Sequence, residues 1–417
     1  MSGWRPSFAA LGAFALCATF VVGSVPASAG TISPLRGSSP SCGHPATGVT
    51  STAIKVGAIF PVTGPQGPFF SAVGNGILAR FHAQDDSGGI SGRKLELVTA
   101  DDGDGMLANQ SAAKFLVSKN VFGVIEASTN SDGGSAYLNQ KGIPVTGWGI
   151  TPAWGRYRNM FGYRYSTSPN PNGEPTTQVA SFMKQHGAKR VAVLAGGASA
   201  SVNFARQIAT TLPAFGLTLA YENLAEPLGL TDYSFDAKAM VRAHVDSLVT
   251  GLDTFSNIDL FKASAAVGLH FAVGMLPAGY DSRLAAADGT VLAGAYVAID
   301  WRPFELPVPA HQVFKQNLAA VAPTEFPGQL AMVGWLSADA FIRGLQAAGD
   351  TCPTRAAFIA NLRKVKDYTA GGLLPKTDFS AVFGKEPLCY WEVQFKANAL
   401  VPASPDPFCG VPFKAKR

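Results

Sequence analysis

Two loops carry the side chains best suited to hold a small polar ligand. Ser128-Thr-Asn-Ser-Asp-Gly-Gly134 follows the apolar run Val121–Ile125, and Gly147-Trp-Gly-Ile-Thr151 follows Ile143–Thr146. The hydroxyls of Ser128 and Thr129, beside free backbone N–H groups at the start of a short helical pattern over 135–141, would suit a small anion such as a carboxylate. The same residue types also make an ordinary N-cap and connector. The rest of the chain has to decide between the two.

Enzymatic chemistry finds little support. There is no G-x-S-x-G elbow, no P-loop and no G-x-G-x-x-G after a strand. Asp102-Gly-Asp104-Gly has the look of a calcium loop, but its twelfth position is Ala113 rather than Glu. The cysteines show no CxxC and the six histidines no HxxxH, so neither a zinc site nor a cofactor is expected. Gly196-Gly197 reads as the glycine-rich turn of any α/β unit. Trp148, Trp154, Tyr157 and Tyr163 would form either a carbohydrate-stacking surface or a hydrophobic cover over a sheet. Basic residues are scattered, and the densest run, Arg363-Lys-Val-Lys366, is too short for a nucleic-acid stripe.

The beginning of the chain points out of the cytoplasm. Arg5 precedes an apolar segment from Phe8 to Val22, and Ala27 and Ala29 give the small-x-small pattern of signal-peptidase cleavage. The segment is short for a membrane span, which needs about 20 residues. A signal peptide over 1–29, cut after Ala29, is expected, with a periplasmic or secreted product that does not span a membrane. Leu16 before Cys17 argues against lipidation at that cysteine. Removing the segment lowers the formal charge from +5 to +4. Cys42, Cys352, Cys389 and Cys409 remain, an even count that favours two disulfides in an exported chain, with three connectivities open. Cys352 precedes a helix and Cys389 opens the strand after it, so a local bridge is expected there, leaving Cys42 to Cys409.

The elements that must position the two loops alternate. After a Ser-, Pro- and Gly-rich leader over 30–50, strands are expected at Ile54–Phe60, Leu95–Ala100, Val121–Ile125 and Ile143–Thr146. Helices fall between them, one with Ala72, Val73, Ile77, Leu78 and Phe81 on a single face. This βαβαβαβ order argues for a parallel sheet covered on both faces. A second series of similar plan begins after Ser168-Pro-Asn-Pro-Asn-Gly173, with strands at Arg190–Leu194, Thr218–Tyr221, His270–Met275, Val291–Ile299 and Tyr390–Phe395 and a long helix over Leu330–Ala348. The last 20 or so residues are Pro-rich and read as irregular.

Ile54-Lys-Val-Gly57 with Thr63-Gly-Pro65, the turn Gly88-Gly-Ile-Ser-Gly-Arg-Lys-Leu95, Asp101-Asp102 and the unit over 121–151 resemble the type I periplasmic binding proteins, in particular the branched-chain amino-acid binding group of ABC importers. The resemblance runs from about 52 to 397 and is firmest in the first 150 residues. It implies an α/β fold of two Rossmann-like lobes with parallel sheets and three hinge crossovers, near 168–173, 283–290 and 375–387. Lobe 1 would take 51–170 and 290–385, and lobe 2 would take 171–289 and 386–417. The implied function is a receptor, not an enzyme, that captures a small carboxylate, amide or amino-acid-like ligand for a membrane permease and works as a monomer. A secreted sensor on the same scaffold is the alternative.

The resemblance also implies a site. Ser128 with Thr129 and Thr151 with Gly149 would hold the carboxylate and amine of a ligand, and Phe69 would pack on it. The second lobe departs from the pattern. Small residues stand at Gly197–Ser201 where a Tyr is expected. Leu276-Pro-Ala-Gly-Tyr280 offers no acid for an ammonium, leaving Asp281 as the nearest. Ala338 stands where the long helix should present an aromatic, with Trp335 one turn earlier. Phe69, Trp148 and Trp335 would then surround the ligand with apolar surface, favouring an apolar or aromatic carboxylate, or an amide, over zwitterionic leucine.

Overall fold

Alternating apolar strands and one-sided helices sort the chain into two separate sheets. The computed structural model describes residues 45–165, 175–227, 229–349 and 351–413; the expected signal peptide, Cys42 and the expected hinge at 168–173 lie outside them. No helix among the described residues is long and apolar enough to cross a membrane.

The first sheet is laid down by β1 (Ala53–Phe60), α1 (Gly67–Phe70), α2 (Ala72–Asp86), β2 (Lys94–Asp101), α3 (Met106–Ser118), β3 (Gly123–Glu126), α4 (Asp132–Gln140), β4 (Val145–Gly147), α5 (Ala153–Arg156) and β5 (Met160–Gly162). Its order is β2-β1-β3-β4-β5 and every pairing is parallel. The second begins with α6 (Gln178–Gln185), β6 (Arg190–Gly196), α7 (Ser199–Thr211), β7 (Thr218–Glu226), α8 (Ser234–Arg242), β8 (Ser247–Thr250), α9 (Thr254–Ala266), β9 (Val273–Leu276), α10 (Ser282–Asp288) and β10 (Ala295–Ile299). The chain then returns to the first sheet with α11 (Pro309–Val321), α12 (Gln329–Ala348) and α13 (Arg355–Leu362). It closes the second with β11 (Cys389–Lys396), β12 (Ala399–Pro402) and β13 (Phe408–Cys409). The second sheet runs β12-β11-β10-β9-β8-β6-β7, with β13 beside β11; β7 to β10 are parallel and β11, β12 and β13 antiparallel.

Three expectations need correction. Strand β10 falls inside the span 290–385 expected for the first lobe, yet it is hydrogen-bonded between β9 and β11 in the second sheet. Most of the hinge expected at 283–290 is occupied by helix α10. The chain leaves the second sheet only after Ile299. The Pro-rich C-terminus is not irregular throughout, because β12 and β13 fold back on β11. That return also decides the cysteines: Cys389 and Cys409 are register partners on β11 and β13 and form a disulfide. This overturns the expected Cys352–Cys389 and Cys42–Cys409 pairing. Cys352 is itself disulfide-bonded.

Strands β1, β3, β4 and β5 of the first sheet are buried on both faces, as the interior of a parallel sheet requires, while the edge strand β2 is largely exposed. One face is covered by α12, whose turns are apolar nearly all round and buried for most of their length. It reaches the sheet by passing α2 at backbone distance. A Cβ on Gly76 would stand 1.9 Å from the Ala331 carbonyl oxygen, and one on Gly334 would stand 2.1 Å from that of Val73. Two glycines, one on each helix, set the spacing. Gly76→Ala should therefore force the helices apart and destabilise the fold by about 1–3 kcal/mol, as overpacking does. Urea denaturation monitored by circular dichroism would read it, and an unchanged midpoint would contradict this packing.

Candidate functional site

In open α/β sheets the strand order reverses at one point, and the loops leaving the carboxyl ends of the strands there diverge to leave a crevice. The first sheet reverses between β1 and β3, the second between β6 and β8. Loops from both points line a single cleft with a cavity of about 170 Å³. Gln66 and Phe69 come from the loop and helix after β1, Thr129 from the loop after β3, and Trp148 and Ile150 from the loop after β4. The second sheet supplies Gly196, Ala198 and Ser201 after β6, Leu252, Asp253 and Ser256 after β8, and Asp300 directly after β10. Tyr165 and Tyr390 close it where the chain passes between the sheets.

Buried polar groups hold the first-sheet loops in place. Asp101 accepts hydrogen bonds from the backbone N–H groups of Val62 and Thr63 and from the Thr63 hydroxyl at 2.5 Å. Asp104 accepts from the Gln66 N–H at 2.6 Å. The Thr63-Gly-Pro65 and Asp101-Asp102 motifs thus meet, and together they aim Gln66 and Phe69 at the cleft. Beneath them the Asn109 amide donates to Asp102 at 3.1 Å and to Glu126 at 2.9 Å, and accepts from the Gly134 N–H at 2.8 Å. The ends of β2 and β3 and the start of α4 are locked through one side chain. Burial, with the nearby Asp102 and Asp132 charges, raises the Glu126 carboxyl to about 8, and burial raises Asp104 to about 6.

The expected ligand residues divide. Phe69, Thr129 and Trp148 line the cleft; Ser128, Gly149, Thr151, Asp281 and Trp335 do not. Ser128 is fully buried, donates to Asp102 and accepts from the Asn130 N–H at 2.9 Å, so its hydroxyl braces the loop from below. Thr151 is equally buried and pairs with the Ser131 hydroxyl at 2.7 Å, which also accepts from the Trp154 indole. These bonds tie the loops after β3 and β4 to one another. Gly149 allows close approach, since a Cβ there would lie 2.2 Å from the Tyr165 carbonyl oxygen. Asp281 caps α10 through the Arg283 N–H and pairs with that guanidinium at 2.6 Å, facing a separate surface pocket with Tyr280 and Phe326. Trp335 packs on Phe314 under the Arg80 guanidinium. Gln329 and Val333, one turn apart on α12, face the cleft. Trp335 lies two residues on, about 200° round the helix. The rings at 154 and 163 are buried and cover the sheet, whereas Trp148 of the same group faces the cleft.

The cleft residues not foreseen are chiefly Asp300, Asp253, Asn203, Tyr165 and Tyr390. Asp300 had a legible signal, an acid immediately after the buried strand Ala295–Ile299. Its carboxyl is raised above the usual range by burial, against the nearby Arg164 charge and the hydroxyl of Tyr163, which donates to Oδ1 at 3.1 Å. Arg164 does not pair with the carboxylate. It donates to the Asp300 and Cys389 backbone carbonyls and lies over the rings of Tyr390 and Trp391.

The two sides of the cleft also touch. The Ser199 hydroxyl, in the first turn of α7, reaches the Thr129 carbonyl and the Asp132 carboxylate at 3.2 Å each. Gln329 at the start of α12 donates to the Pro277 carbonyl at 3.2 Å and accepts from the N–H groups of Gly279 and Tyr280.

The raised Glu126 carboxyl makes stability depend on pH. Its folded value lies above its ordinary one, so across the window from 4.5 to about 8 the folded state binds more protons than the unfolded chain. Stability should therefore fall as pH rises through that window and level off above it. Glu126→Gln should flatten the fall and make the protein more stable than wild type at about pH 8. Urea titrations across the pH range would test this, and an unchanged slope would show that Glu126 is not held neutral.

Comparison with known proteins agrees with this geometry. A family model described as periplasmic binding protein matches residues 53–399. No curated protein matches the chain. Among solved structures, a substrate-binding periplasmic protein from Ralstonia solanacearum is 17% identical, with a TM-score of 0.72 over 84% of this chain and 99% of its own. A solute-binding protein of an ABC transporter from R. palustris, in complex with benzoate, is 16% identical, with a TM-score of 0.69 over 87% of this chain and 98% of its own. A branched-chain amino acid transporter substrate-binding protein from Streptococcus pneumoniae, in complex with isoleucine, is 18% identical, with a TM-score of 0.67 over 84% and 98%. At these identities the structures speak for the fold, two sheets facing one cleft, and the match over 53–399 for the family: the chain belongs to the periplasmic binding proteins.

Proposed function

We propose that the protein is the extracytoplasmic solute-binding receptor of an ABC importer, taking one small ligand between two closing lobes and passing it to a membrane permease. The observation that carries this reading is the meeting of two switch-point crevices, one from each sheet, in a single cleft. One lobe is the first sheet with α11, α12 and α13, and the other is the second sheet with its helices. Closure is the bridging of the two by Ser199 and Gln329, so the lobes are latched by contacts that opening would break. The protein acts as a monomer and performs no covalent chemistry.

The cavity of about 170 Å³ is close to the roughly 150 Å³ that holds a benzene ring in an engineered protein core. Its apolar wall includes Phe69, Phe70 and Trp148, whose rings stand edge to face or tilted at 5.3 and 6.3 Å. A ligand with a small apolar body fits that wall, as benzoate and isoleucine fit the relatives whose structures contain them.

Thermal unfolding with leucine, isoleucine, benzoate, benzamide and benzylamine would test the reading. At least one should raise the melting temperature, because a ligand present at about 100 times its Kd adds about 2.7 kcal/mol to stability. Ala200→Trp, which fills the cleft from α7, should remove the shift while keeping the secondary structure. A shift that survived Ala200→Trp would place binding elsewhere and refute this site.

A further inference from the structure

The charge and hydrogen-bond character of the cleft is one-sided. Among the described residues its charged lining is Asp253, Asp300 and Glu386, and no lysine, arginine or histidine lines it. The serine and threonine hydroxyls on its wall already donate elsewhere: Thr129 to Gln66 at 3.4 Å, Ser201 to the Gly251 carbonyl at 2.6 Å, and Ser256 to Asp253 at 2.7 Å. Ser128 and Thr151, where a carboxylate would be anchored by resemblance, are turned inward. A ligand carboxylate would find no cationic side chain on the wall among the described residues.

Acceptors are in the opposite state. Asp300 is 5% exposed and its Oδ2 has no hydrogen-bond partner. The Trp148 indole approaches the carboxylate and the Tyr163 hydroxyl holds Oδ1, but neither occupies Oδ2. A buried carboxylate oxygen left this way costs several times what one satisfied bond contributes, so a donor from outside is strongly favoured there. Asp253 cannot substitute, since its two oxygens already cap α9. Around Asp300 stand Trp148, Tyr165 and Tyr390, rings that attract a cation through their faces.

We infer that the ligand presents an N–H-bearing cation, an amine or amidine on a small apolar body, to Asp300. This rests on the receptor reading and narrows it. The carboxylate expected from the resemblance is not the matching group; the cleft receives positive charge at the end of β10 and apolar surface from Phe69 and Trp148.

Calorimetry on the full chain with matched pairs would test it: benzylamine against benzoate, and isoamylamine against isovalerate, with benzamide as the neutral member. At least one amine should bind tenfold or more tightly than its carboxylate. Asp300→Asn should weaken that amine at least tenfold and leave benzamide unchanged. Because Asp300 also holds Tyr163, a wild-type measurement guards against misfolding of the variant. The groups facing Asp300 are Arg164, Tyr163, Tyr165 and Tyr390, and Asp253 and Glu386 are the other carboxylates on the cleft wall. With the Asp300 carboxyl raised by burial, amine affinity should fall as the solution is acidified, and benzamide affinity should not. Carboxylates binding as tightly as their amines would overturn the inference. If that binding vanished in Ala200→Trp, the receptor reading would stand without it; if no probe, leucine and isoleucine included, bound at all, both would fall.

Discussion

Arg164 stands on the exit from β5, donates to the carbonyl of Asp300 at the end of β10, and donates to the carbonyl of Cys389 at the start of β11. Those are the three places where the chain passes from one sheet to the other. A guanidinium that is 8% exposed is costly unless its donors and charge are met, and here two carbonyls, two aromatic faces and the nearby Asp300 carboxylate meet them. Breaking any one of the three crossings leaves the others with a buried charge. The two sheets therefore keep a common pivot even though each has its own core. Because Asp300 sits both at this pivot and on the cleft, charge arriving in the cleft is felt at the hinge directly.

The polar network of the first sheet works differently. Asp101, Asp102, Asp104, Asn109 and Ser128 are joined to one another and to loop N–H groups, and no ligand is needed to complete them. They fix where the loops after β1 and β3 go, although the Asp104 Oδ1 is left buried without a partner. Gln66, Phe69 and Thr129 then face the cleft as a consequence of positions set one layer below. The motifs that carry the resemblance, Thr63-Gly-Pro65 and Asp101-Asp102, are thus the scaffold of the site rather than its contact surface.

That separation explains what was legible. The alternation from β1 to β4, with its helices, could be read because buried parallel strands are apolar throughout and the helices between them are apolar on one side. Membership of β10 in the second sheet could not, since a strand of five apolar residues carries no mark of which sheet it joins. The Cys389–Cys409 bridge depends on β13, two residues of pairing hidden in a Pro-rich tail. Of the residues expected at a ligand, Phe69, Thr129 and Trp148 line the cleft. Ser128 and Thr151 do not, because a hydroxyl at a strand end can turn to the cleft or to the core. What turned it was Asp102 and Ser131, and their positions are properties of the packed fold.

Among the buried carboxylates that keep one oxygen without a partner, Glu126 and Asp300 have surroundings that give it opposite meanings. Glu126 is sealed beneath the first-sheet loops, with Asp102 and Asp132 near it and Asn109 as its one donor. With its value raised to about 8 it carries a proton at neutral pH, and nothing from solution has to reach it. Asp300 has Arg164 beside it, which favours its charged form, and it opens on the cleft. An unmet oxygen on a neutral, enclosed acid is a cost of holding loops together. The same oxygen at the wall of a cavity is open to a donor from a ligand, and the cavity decides which donors can arrive.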